Sequence, residues 1–121
     1  TAQIILSHCN SNIRIEIEEG LREWKLGDWE GTSYLNGPNL FTHSPPDPPN
    51  GESYLAFKTR VLRALFNVAR KPQKNILVVG HGAVWFAYAH WEDPLLRTTS
   101  GCINNNTLEE MRRDALFTLG L

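Results

Sequence analysis

His81 sits between Gly80 and Gly82, directly after the apolar run Ile76-Leu77-Val78-Val79. A short apolar run rich in β-branched residues reads as a strand buried on both faces, the parallel-sheet type. The next segment, Ala83 to Trp91, reads as a helix. In open α/β sheets, ligands bind at the carboxyl ends of the strands. Glycines there let a ligand approach the backbone, and a helix starting there offers free N–H groups to an anion. His81 and Gly82 are therefore expected to face a phosphate. The same tripeptide also fits a partly buried turn histidine, and by itself it leaves both readings open.

A second supply of chemistry lies in Glu18 to Gly31, EEGLREWKLGDWEG. It holds Glu18, Glu19, Glu23, Asp28 and Glu30, any of which could donate or accept a proton. Each reads equally well as a solvated surface charge, and spacing alone does not choose among them. The stretch fits neither the helical nor the strand period. Its tryptophans, Trp24 and Trp29, predict an irregular segment pinned to the body of the protein by aromatic rings. The other histidines carry no constellation: His8 and His90 read as helix-end residues and His43 as a loop residue. Cys9 and Cys102 match no metal or CxxC spacing.

These groups need elements to hold them. Thr1 to Ser7 places Ala2, Ile5 and Leu6 at helical spacing, and His8 to Asn12 are turn formers that end the helix. Ile13 to Ile17, IRIEI, alternates like a strand with one solvated face. Thr32 to Gly51 contains Pro38, Pro45, Pro46, Pro48 and Pro49, too dense for helix interior or central strand. That predicts a loop of about twenty residues, either a mobile lid overhanging the site or a slack surface insertion. Glu52 to Arg70 has Tyr54, Phe57, Val61, Leu65 and Val68 on one stripe, with Leu62, Phe66 and Ala69 beside it. This is a helix with a wide apolar face. Glu52 lies in its expected first turn, Arg70 and Lys71 in its last, and Pro72 stops it. Helix, short turn, then the Ile76 strand make an αβ unit of a layered sheet. Thr107 to Leu121 fits helix and strand periods alike, with a lean to helix.

At 121 residues the chain is expected to be a single domain, 1–121, with room for a sizeable core. A net charge of -1 leaves no electrostatic footprint for nucleic acid. No 18-residue apolar run predicts a membrane span, and no signal peptide is visible. The simplest expectation is a reduced, cytoplasmic protein.

Three pieces together resemble one family: LREWKLGDWEG at Leu21 to Gly31, GES at Gly51 to Ser53 leading the helix with Arg60, and VVGHGAV at Val78 to Val84. The set is similar to the histidine phosphatase superfamily, also called phosphoglycerate mutase-like, in order and spacing as well as in words. Thr1-Ala2 resembles the end of that family's RAxxTA motif. The resemblance implies an α/β fold: a three-layer phosphoglycerate mutase-like sheet with helices on both faces, its N-terminal strand missing. It implies transfer of a phosphoryl group to a histidine and then to water, or back to a sugar acid. Two steps through a histidine nitrogen replace one difficult step, and the pocket must be cationic and rich in donors. By resemblance His81 is the second histidine, binding phosphoryl oxygens, with Gly82 beside it. Glu23 is the acid that protonates the leaving oxygen, Glu30 is structural, and Ser53 lines the pocket. No cofactor or metal is implied. The implied partner is a small phosphorylated metabolite or a phosphoprotein.

The departure from the family is the RHG motif, which carries the nucleophilic histidine and the first clamp arginine. No RHG occurs in this chain. The resemblance implies that a strand and most of its helix, roughly 30 residues, precede Thr1. It also turns the end of the chain into a hairpin, Thr107 to Arg112 and Leu116 to Leu121, around Arg113-Asp114-Ala115. Mutases of the family carry a long insertion between the WEG and GES motifs. Only Thr32 to Asn50 separates them here, which favours a phosphomonoesterase. The alternatives are phosphoglycerate mutase-type transfer and a non-catalytic module binding phosphorylated ligands or a protein partner. A nucleotide-binding domain fits poorly, since no lysine follows the glycines and no GxGxxG is present.

Overall fold

The computed structural model describes residues 1–9, 12–33, 37–40, 42 and 44–92, without the side chains of 90–92. The readings of His43, of Cys102 and of Thr107 to Leu121 as hairpin or helix lie outside the described residues.

The organising element is α2, Tyr54–Ala69. Its register follows from the apolar stripe: Phe57, Val61, Leu62, Leu65 and Ala69 are buried, joined by Ala64. Ser53 caps the N-terminus, its Oγ accepting from the Ala56 amide at 3.2 Å. Such a cap contributes about 1 kcal/mol. The helix ends at Arg70, just before Pro72, as expected. Glu52 differs from expectation. It precedes the cap and is held by Arg60 rather than by the helix dipole.

Two further α-helices flank this one. α3, Gly82–Glu92, packs against α2. Val84, Phe86, Ala87, Tyr88 and Ala89 are buried in it, so apolar contact surrounds most of its length. α1, Ala2–Ser7, buries no residue. His8 caps its C-terminus, with Nδ1 2.8 Å from the Ile4 carbonyl oxygen, a helix-end residue as expected.

The core is the seam of α2, α3 and the tryptophan segment. Trp24 stacks on Phe57 with ring centroids 5.3 Å apart and meets Tyr54 at 5.5 Å. Trp24 is thus the buried pin that the sequence predicts, while Trp29 is half-buried. Pro45 and Pro48, in the proline-rich segment, are buried too, and Leu40 packs against the core.

The expected three-layer sheet is not found. Among the described residues there are three α-helices and two 3-10 turns, and no strand. Ile13 to Ile17 and Ile76 to Val79 carry strand-like sequence but form no strand. Their amides and carbonyls make no backbone–backbone hydrogen bond among the described residues. The reason is physical: a strand exists only through pairing with a neighbour, whereas a helix closes its bonds within itself. Burial on both faces is corrected as well. Ile76 and Val78 are half-buried, whereas Leu77 and Val79 are exposed. Ile13, Ile15 and Ile17 are all exposed, so the alternation there does not mark a buried face. Lys71 Nζ and the Glu16 carboxylate tie this segment to the end of α2.

Candidate active site

Glu23 reaches the site on a segment fastened at several points. A 3-10 turn, Glu19–Leu21, precedes it, with Glu18 accepting from the Gly20 amide. Gly20 lies so close to α2 that a Cβ there would fall 2.5 Å from Ala64 Cβ. A second 3-10 turn, Gly27–Trp29, follows. Between them Trp24 buries its ring and donates from Nε1 to the Glu52 carbonyl at 2.7 Å. The Glu52 amide returns to the Lys25 carbonyl at 2.9 Å, and the Asp28 amide donates to the Pro49 carbonyl at 3.0 Å. The LGDWEG and GES words, far apart in sequence, therefore form one clasp.

Gly27 is needed in that clasp. Its φ is +53°, and a Cβ would collide with the Pro49 carbonyl. Both facts call for glycine.

His81 stands where the Ile76–Val79 run gives way to α3. Its carbonyl accepts from the Val84 amide at 3.1 Å, closing the first turn. Its ring Nδ1 lies 3.3 Å from Glu23 Oε2. The other carboxylate oxygen, Oε1, accepts from the Trp24 amide at 2.9 Å. Both side chains stay open to solvent, 58% for His81 and 45% for Glu23. A carboxyl and an imidazole at this distance can share or pass a proton. Gly82 opens α3, and a Cβ there would meet nothing within 4 Å, so a ligand could lie against its backbone.

The structure thus brings Glu23 and His81 together, with Gly82 adjacent in sequence. Ser53 instead has its Oγ engaged at the α2 cap. Of the other carboxylates, Asp28 accepts from the Asn50 side chain and Glu19 pairs with Arg22. Glu30 is exposed. No group of three metal-ligating side chains occurs among the described residues.

Arg60 enters the family resemblance as part of the GES helix, with no role assigned to it. Arg60 lies beneath the Glu23 segment, and its Nε and Nη2 hold both oxygens of Glu52 at 2.8 and 2.6 Å. That hydrogen-bonded pair holds the Glu52 carboxyl below its ordinary range, against an opposing effect of burial. In return Glu52 raises Arg60. The available signal was an arginine eight residues after the GES glutamate, two helical turns on.

The family profile described as "Histidine phosphatase superfamily (branch 1)" matches residues 1–110. The chain belongs to the histidine phosphatase superfamily. No curated protein and no solved structure matches it. Membership supports phosphatase- or mutase-type activity in general. No helix among the described residues is long and apolar enough to cross a membrane.

Proposed function

We propose that Glu23 and His81 serve a phosphomonoester hydrolase that works through a phosphohistidine. The observation behind this reading is the 3.3 Å approach of His81 Nδ1 to Glu23 Oε2 at the start of α3. In it, His81 and the first amides of α3 receive the phosphoryl oxygens. Glu23 protonates the leaving alcohol oxygen as its bond to phosphorus breaks. The nucleophile is the histidine of an RHG motif, which these 121 residues do not contain. The short spacing from WEG to GES supports hydrolysis over mutase transfer. The substrate class is a small phosphorylated metabolite or a phosphoprotein, met in the cytoplasm and without a cofactor.

Titration of the labelled chain with inorganic phosphate tests the site. The Gly82 and Ala83 amide resonances should move, and His81→Ala should abolish the movement. An equal response in parent and variant would overturn the assignment.

A second reading is a binding module without turnover, in which the Glu23–His81 site holds phosphorylated ligands or a protein partner. The coding sequence upstream of Thr1 separates the two. An RHG there supports the enzyme, and a start codon at that point supports the module.

A further inference from the structure

We propose that Arg60 is the positioning residue for Glu23, acting with Glu52 as a clamp behind the Glu23 segment. This rests on the reading of Glu23 as the acid.

A guanidinium has five N–H donors in a fixed plane. In Arg60 each has an acceptor. Nε and one Nη2 hydrogen go to Glu52, at 2.8 and 2.6 Å. The two Nη1 hydrogens go to the Gly20 and Arg22 carbonyls, at 3.0 and 2.9 Å. The remaining Nη2 hydrogen points to the Glu23 carbonyl at 3.4 Å. The Phe57 ring lies under the guanidinium, 5.1 Å from Cζ.

Three of the five acceptors are thus main-chain oxygens at Glu23 or within three residues before it. The Trp24 indole and the Lys25 carbonyl tie the following residues to Glu52 itself. The backbone of Glu23 is therefore fixed from both sides to one ion pair, between Arg60 on α2 and Glu52 just before its cap. With the backbone fixed and Oε1 on the Trp24 amide, Oε2 falls beside His81. General acids lose rate steeply when displaced by fractions of an ångström, so the clamp sets the acid's aim without touching substrate. Lysine keeps the charge but has neither the plane nor the five donors.

The test reads how strongly Glu23 and His81 sense each other. In the full chain, Glu23→Gln should shift the His81 ring resonances. In an Arg60→Lys background the same substitution should give less than half that shift, while the core resonances of Phe57 and Tyr88 persist. Arg70→Lys, on the same helix over Phe66, is the control and should leave the response intact. An undiminished response in Arg60→Lys would overturn the positioning role while leaving the site. No response in the parent would overturn the pairing of Glu23 with His81, and the inference with it. Should Arg60→Lys fail to fold, Glu52→Gln is read the same way. A weakened response supports the clamp, and an unchanged one overturns it.

Discussion

Glu52 and Arg60 hold their pair with side chains only 21% and 16% exposed on the Arg60 and Glu52 sides, so water screens it incompletely. The folded carboxyl of Glu52 titrates lower than its ordinary value because Arg60 donates to it. A depressed carboxyl contributes stability that is present above the unfolded pKa, about 4.3. That contribution is lost as pH falls through the folded value. We expect urea stability to drop on acidification below about pH 4. Glu52→Gln should be less stable at pH 7 by about 1–3 kcal/mol, and the gap should narrow at low pH. A pH-independent gap would refute the linkage.

The elements are joined by a clasp and a seam, and each has a weak point. In the clasp, Gly27→Ala adds a Cβ at positive φ, costing about 1–2 kcal/mol, and drives it into the Pro49 carbonyl. We expect a loss of about 2 kcal/mol or more, with faster hydrogen exchange at the Asp28 and Glu52 amides. Unchanged exchange there would show that the clasp does not depend on Gly27. In the seam, Phe57 of α2 is fully buried and stacks on Trp24. Phe57→Ala should cost about 3–5 kcal/mol. That approaches the whole stability of a small domain, so a circular dichroism melt should show a much lower or absent transition.

At the scale of the molecule, Ile13, Ile15, Ile17, Leu77 and Val79 are exposed, and their backbone makes no ladder hydrogen bond among the described residues. Amides of Ile76 to Val79 should exchange much faster than those in the middle of α2. Ladder-like protection at 76–79 would contradict this arrangement. Turnover is the other property of the whole chain. Residues 1–121 should show none on a generic aryl phosphate, because the nucleophile and cationic clamp of the family are not in them. Loss of one transition-state donor alone costs on the order of 100-fold or more. Turnover that vanished in His81→Ala would show that His81 serves as a nucleophile itself.

What the sequence by itself determined is what is local. The α2 stripe, its Ser53 cap and its end before Pro72 are set by neighbours three and four residues apart. The Gly80-His81-Gly82 break fixes the start of α3 in the same way. The family, too, was legible in three short words and their order. Tertiary structure decided the rest because it depends on partners distant in the chain. The alternation of IRIEI and the apolar run ILVV are strand-like, but a strand needs a second backbone, and none pairs with them among the described residues. Spacing left five carboxylates equivalent. The family resemblance points to Glu23, and folding sets its carboxylate beside His81, which lies 58 positions further on. Arg60 belongs in sequence to the GES word and its helix, but with no partner. Only folding brings the carbonyls of Gly20, Arg22 and Glu23 within reach of its five donors.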